Sequence, residues 1–332
     1  MAKFAYKLSI HGQEPDTTFA TLRDLALHAE EVGFEGVYVV DHLRLPGDRL
    51  AGYSEAPIDK PFFLDAWTSL AALGAVTSRV KLGPQVTPIG LRHPVFVAKW
   101  GATVDRITEG RLLMQVGAGH QQIEYESHGL PFPKLRARIE ALREGIEIIR
   151  LLWSSEEPAS YAGQHYSLNE VPFWPKPIQA MPEIWLGGAS QGVRDVVADL
   201  GDGWSPAAPQ RSGLDPVFFR DALAEMRERA GGRQIKGGAL FYCIISDDPA
   251  EVDRGLELLR RRADWADFDR AEIQRRAIAL AGSPGEIIDA IGRYAEAGVE
   301  YFTLTFVPIS DAAINHTSIS LFAEKVMPEL AS

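Results

Sequence analysis

Asp41 and His42 stand side by side just after an unbroken apolar run, Gly36–Val40. An imidazole changes charge near neutral pH and can donate or remove a proton. The adjoining carboxylate can orient that imidazole or bind a hydroxyl or ring nitrogen of a ligand. A plainer alternative is a helix cap or a surface salt bridge. A second group, Gly83-Pro84-Gln85-Val86-Thr87-Pro88, interrupts what otherwise reads as a smooth buried strand. Two prolines and a glycine remove ladder hydrogen bonds and ask for a bulge. Such a bulge pushes backbone inward against one face of a planar ligand, or merely ends the strand. In the third group, Gly117-Ala118-Gly119, the glycines permit close backbone approach to a ligand or a tight turn, and His120 and Gln121 come next. The fourth, Gly187-Gly188-Ala189-Ser190-Gln191-Gly192, lies between a strand-like and a helix-like segment. Its amides and the helix dipole would welcome a phosphate. Its last five residues also spell G-x-S-x-G, the nucleophile elbow of serine hydrolases, with His316 downstream. No HGGG-type oxyanion segment precedes it, so the Ser190 hydrolase ranks second.

These groups can act together only if the fold gathers them. Strand-like runs are predicted at 4–10, 36–40, 80–86, 111–116, 183–186, 203–205, 239–245 and 301–307, each followed by a helical pattern. Strict alternation of this kind implies parallel strands. The expected fold is therefore α/β, a (β/α)8 TIM barrel over residues 1–332 as one domain. Typical barrels run to about 250 residues, and the excess falls in insertions near 43–60, 154–182 and 249–280. An open doubly wound sheet would leave two edges to protect. Ser283-Pro284-Gly285-Glu286 reads as a capping box with proline in the first turn. All four chemical groups follow strands directly, which puts them at the carboxyl-end mouth where barrels bind ligands.

Composition removes several function classes. The 332 residues carry a formal net charge of −11, which disfavours nucleic acid or an anionic membrane surface as partner. The one cysteine, Cys243, excludes an internal disulfide and a cysteine-built metal site, and its apolar surroundings suggest a buried structural thiol. The eight histidines include no H-x-H or H-E-x-x-H spacing, so no metal is expected. Nothing approaches membrane-spanning length, and a cytoplasmic location is expected.

Several runs together, GFEGVYVVDHL, then the segment from PFFLDAW to VGAG, then EYESHGLPFP and PEIWLGGAS…GDGW, resemble the luciferase-like flavin and deazaflavin oxidoreductases. The match is clear over residues 20–205. The RHP and GAG…EYE…PFP wording is most similar to the branch that uses coenzyme F420, which includes methylenetetrahydromethanopterin reductase-like proteins; FMN-dependent monooxygenases share the frame. The resemblance implies hydride transfer between F420 (alternatively FMN chemistry) and a small organic substrate. It also implies Asp41 against the deazaflavin and His42 as acid or base near its reactive carbon. Gln85, Val86 and Thr87 would form a prop behind the ring, often with a non-prolyl cis peptide at Gln85–Val86. Gly117, Ala118, Gly119 and His120 would follow the ribityl side, and Gly187, Gly188, Ala189, Ser190 and Gln191 the phosphate end. A homodimer through the helices after the second and third strands is likewise implied. Many relatives carry an aromatic residue directly after GAG, where this chain has His120.

Overall fold

The computed structural model describes residues 1–9, 11–13, 18–45, 54, 61–208, 214–262, 265–276 and 278–330. Most of the predicted insertion 43–60 lies outside them. Eight passes of parallel strand form the centre: β1 (Lys3–Leu8), β2 (Gly36–Val39), β3 (Lys81–Pro84), β4 (Met114–Gly117), β5 (Ile184–Leu186), β6 (Gly203–Trp204), β7 (Lys236–Ile245) and β8 (Tyr301–Phe306). Neighbours around the ring run β3-β2-β1-β8-β7-β6-β5-β4. The ring closes through the third pass, which is split. Lys81–Pro84 pairs with β2, and the residues beyond the break, Thr87–Pro88, pair with β4. A Leu82–Leu112 bridge adds to the closure. The expected TIM barrel is present.

Alternation along the strands separates two interiors. Phe4, Tyr6 and Leu8 of β1 face outward into the main core, as do Met114 and Val116 of β4 and Phe302, Leu304 and Phe306 of β8. They meet helices such as Phe19–Glu31 and Ala312–Lys325; Phe4 and Phe322 pack edge to face at 5.1 Å. The inward set begins with Ala5, Tyr38, Leu113, Trp185 and Tyr301, a tightly packed plug across the barrel. Trp185 and Tyr301 meet edge to face at 5.0 Å.

Helix starts follow the expected local chemistry. Asp65 caps the helix Ala66–Val76 by accepting from the Thr68 amide at 2.9 Å. The capping box at Ser283 forms in full, with proline in the first turn of Pro284–Glu296. One expectation is overturned. The insertion near 249–280, whose polar pattern predicts helix throughout, ends instead in a strand, Ala279–Gly282, parallel to the upper half of β7 from Tyr242–Ala279 to Ile245–Gly282. β6 has two residues and covers only the start of β7, so the rest of that edge needs a partner. Pairing outweighs the helical propensity of the Ala-Leu-Ala run. This segment, with the helix Pro249–Arg260, builds a second small core that also takes in Leu45, just after β2.

Candidate active site

All four predicted groups sit at the carboxyl ends of parallel strands and therefore at one mouth. His42 follows β2 with its side chain only 12% exposed. Its Nδ1 lies 3.0 Å from Oε2 of Glu124, on the short helix Gln122–Ser127. A carboxylate can only accept, so Nδ1 carries the proton and Nε2 is left for a ligand. Nε2 has no partner among the described residues. The second oxygen of Glu124 accepts the amides of Leu43 and Arg44 at 2.5 and 3.3 Å. Burial would raise the Glu124 carboxyl. The bond and charge of His42, with those two amides, outweigh it and hold the group below its usual 4.5.

That depressed value has a consequence for stability. A carboxyl whose folded pKa lies below its unfolded one stabilises fully above about pH 4.3 and loses that contribution as pH falls through the folded value. The melting temperature of the wild type is expected to fall on acidification through that window. Glu124→Gln, which cannot titrate, is expected to fall by less, as differential scanning at stepped pH would show. Equal slopes would remove Glu124 from this role.

The neighbouring carboxylate does not orient His42, contrary to one sequence-based expectation. Asp41 is buried, and both its oxygens are taken. Arg92 binds it through Nη2 at 2.7 Å and Nε at 3.0 Å, and the Thr87 hydroxyl donates to it at 2.8 Å. Thr87 in turn accepts from Trp67 Nε1 at 3.1 Å. Asp41 therefore ties β2 to the segment just past the break in the third strand.

At the break itself, Gln85–Val86 is a cis peptide. Gln85 is buried and reaches across the lumen, donating from Nε2 to Ser205 Oγ at 3.1 Å and Thr303 Oγ1 at 3.3 Å. The Val86 methyls fill the space beside two of the predicted glycines. A Cβ on Gly117 or on Gly187 would each lie 2.8 Å from a Val86 methyl. These three residues thus form one cradle from three strands, where only glycine lets the backbone come so close. Gly119 has φ +78°, and a Cβ there would lie 2.1 Å from the Tyr125 hydroxyl. Ala118 is buried, and the exposed His120 ring stands edge-on to His42 at 5.6 Å.

The fourth group also holds its expected place, after β5. Ser190 is the N-cap of the helix Gln191–Leu200, yet its side chain makes no capping bond. Arg194, one turn into the helix, donates to the Ala189 carbonyl at 2.7 Å and brings a cation to Gly187, Gly188 and Ala189. The Gln191 amide donates to Asp195 and Glu225 at 3.2 and 3.0 Å. The hydrolase triad is not assembled. His316, on the helix Ala312–Lys325, stacks against His28 at 3.6 Å between ring centroids. No hydrogen bond links it to Ser190 among the described residues. Among the described residues, too, no group of His, Cys, Asp and Glu could hold a metal, and no helix is long and apolar enough to cross a membrane.

Sequence reasoning missed Glu124, Arg92 and Arg194 as parts of the site. Glu124 left a trace as the first Glu of the EYE run, four residues past His120, and Arg92 as the arginine of the RHP run; Arg194 left none.

Comparison with known proteins places this geometry. An F420-dependent glucose-6-phosphate dehydrogenase of Nakamurella multipartita is 28% identical, over 99% of this chain and 96% of its own length. Its counterpart from Amycolatopsis mediterranei is 31% identical, over 99% of both chains. Among solved structures, the F420-dependent tetrahydromethanopterin reductase of Methanopyrus kandleri superposes with a TM-score of 0.75 at 22% identity, covering 99% of both chains. A monooxygenase from Streptomyces bottropensis gives 0.79 at 24% identity over the same share of each chain; both likenesses concern the fold. The model of the luciferase-like monooxygenase family matches residues 3–301, and with its barrel mouth, broken third strand and glycine-lined cradle the chain belongs to that family.

Proposed function

We propose that this protein is an F420-dependent oxidoreductase that transfers a hydride between the deazaflavin coenzyme and a small organic substrate. The observation that carries this reading is the position of His42. Its unpartnered Nε2 is fixed by a buried Glu124 at the mouth that holds the Val86 cradle. F420-dependent relatives along nearly the whole chain support F420 over FMN.

The residues present fit such a coenzyme. Val86, between Gly117 and Gly187, offers an apolar prop of the kind a flat ring needs on its back face. Gln85 Oε1 and Gln115 Oε1 are buried acceptors without partners among the described residues, suited to ring N–H groups. Gly187, Gly188, Ala189, Ser190 and Gln191, with the uncommitted Ser190 hydroxyl and the Arg194 guanidinium, would hold the phosphate end. Gly117, Ala118, Gly119 and His120 would follow the ribityl side. Asp41 and Thr87 would shape the wall next to the ring through their tie to Arg92.

When bound, F420 supplies a hydride donor or acceptor at one ring carbon. His42 does the proton work. Its Nε2 takes the proton from a substrate hydroxyl as the adjacent carbon is oxidised, or returns it in the reverse direction. Glu124 keeps Nδ1 protonated, so Nε2 is the exchanging atom.

The direct test is a spectroscopic titration of the purified protein with F420 and with FMN. Saturable binding of F420 at least about tenfold tighter than FMN, with substrate-dependent bleaching or recovery of its absorbance, is expected. Preference for FMN with oxygen consumption would replace this reading by a monooxygenase. We further place the enzyme in the cytoplasm as a homodimer. The helices Ala66–Val76 and Pro94–Ile107 expose Val76, Phe96 and Ile107, apolar side chains that a second copy would cover. Sedimentation at twice the mass of one chain is the check.

A further inference from the structure

The short helix Gln122–Ser127 buries two side chains, Glu124 and Tyr125. Glu124 holds His42, whereas Tyr125 takes no part in the proton chemistry. Its ring is 1% exposed and meets Phe132 edge to face at 5.1 Å, and the Arg138 guanidinium lies over Phe132 at 3.9 Å. The hydroxyl end sits between two glycines. A Cβ on Gly90, in the turn Ile89–Leu91 past the broken strand, would lie 3.0 Å from the Tyr125 hydroxyl, and one on Gly119 would lie 2.1 Å from it. The hydroxyl therefore stands directly behind the loop that leaves the end of β4.

That hydroxyl is buried and has no hydrogen-bond partner among the described residues. Burial above all, with the Glu124 charge, raises its pKa, so it keeps its proton and remains a donor. A buried donor left unmet costs its desolvation, and a phenylalanine would fill the same space without that cost. The loop in front of it is uncommitted too. Neither the Gly119 amide nor the Ala118 carbonyl is hydrogen-bonded among the described residues, and Gly119 stands at φ +78°. Glycine occupies both signs of φ. The peptide between Ala118 and Gly119 can therefore reverse with its neighbours nearly fixed, as when type I and type II turns interchange. One of its two orientations gives the Ala118 carbonyl to the hydroxyl and the Gly119 N–H to the lumen.

We infer that Tyr125 is a positioning residue for the coenzyme: when F420 binds, the Tyr125 hydroxyl donates to the Ala118 carbonyl, and the reversed peptide presents the Gly119 N–H to an oxygen of the coenzyme. This rests on the F420 reading, which runs the loop 117–120 along the ribityl side. Tyr125 itself touches no part of the coenzyme and acts through the loop. In the coenzyme-free protein its hydroxyl is unused, and binding selects the loop orientation that uses it.

Tyr125→Phe keeps the ring beside Phe132 and the two glycines and removes one oxygen. Differential scanning of the coenzyme-free proteins and a spectroscopic titration of each with F420 test the inference. The coenzyme-free variant is expected to melt at the wild-type temperature or above it, because an unmet donor has gone. Its affinity for F420 is expected to fall about three- to tenfold, the worth of one neutral hydrogen bond. A hydroxyl that merely props the fold gives the opposite pattern, a lower melting temperature with affinity unchanged. Either half of that pattern overturns the inference: a variant that melts lower shows the hydroxyl already in use, and unchanged affinity shows that the loaded state ignores it. The wild-type titration reports on the F420 reading by itself. Saturable binding by the wild type with equal binding by Tyr125→Phe sinks this inference alone, and a wild type that does not bind F420 sinks both.

Discussion

His42→Ala is expected to lower turnover by roughly 10²- to 10⁴-fold, the usual worth of a positioned general acid or base, with F420 affinity changed by no more than a few fold. The asymmetry follows from the geometry. Nε2 is the one proton-exchanging atom at the mouth that is both unpartnered among the described residues and rigidly held, through the 3.0 Å bond to Glu124. The coenzyme cradle comes from other strands: Val86 past β3, Gly117 at the end of β4 and Gly187 after β5. Removing the imidazole should therefore cost chemistry and leave binding. Steady-state rates and a coenzyme titration on the same preparation give the two numbers. Proportionate loss of both would make His42 a binding or folding residue. His42→Asn should behave like alanine, because an amide keeps polar contacts yet does not exchange a proton near neutral pH.

The second large effect concerns stability. Asp41→Ala is expected to lower the unfolding free energy by about 3 kcal/mol, the lower end of what breaking a buried ion pair costs. Arg92 would lose its two-point contact and keep only Asp65 Oδ2, at 2.8 Å, on a carboxylate that is 38% exposed. Its guanidinium, 5.3 Å above the Trp100 ring, would stay in place with its charge half-answered. Thr87 would lose its acceptor as well, loosening the wall between the helix Ala66–Val76 and the broken strand. Because the penalty comes from the stranded cation, Asp41→Ala combined with Arg92→Met should be more stable than Asp41→Ala alone. Urea midpoints of the three proteins decide it. A single variant that unfolds with the wild type would show that water already satisfies Arg92.

The barrel and its mouth were legible in the sequence because both are written in short-range patterns. Apolar runs at strand length, separated by helical periodicity, are local, as are Gly83, Pro84 and Pro88 inside a strand. The relations that turn these positions into a site are not local. Asp41 and Arg92 are 51 residues apart and His42 and Glu124 82, so nothing in the run Asp41-His42 says that the first residue turns away and that a distant glutamate holds the second. Ala279–Gly282 misled for a related reason, since its residues favour a helix and only the uncovered edge of β7 makes them a strand.

The plug of Ala5, Tyr38, Leu113, Trp185 and Tyr301 has one more effect. It stoppers the barrel at the far end, and beneath it Lys3 and Glu183 bond to the tyrosine hydroxyl and the tryptophan nitrogen at 3.1 and 2.9 Å. With that end packed by side chains, reactants that enter at the opposite mouth leave by the same doorway. Whichever of the two reactants lodges deeper has to arrive first and depart last, so traffic through this enzyme runs in a compulsory queue, first in and last out.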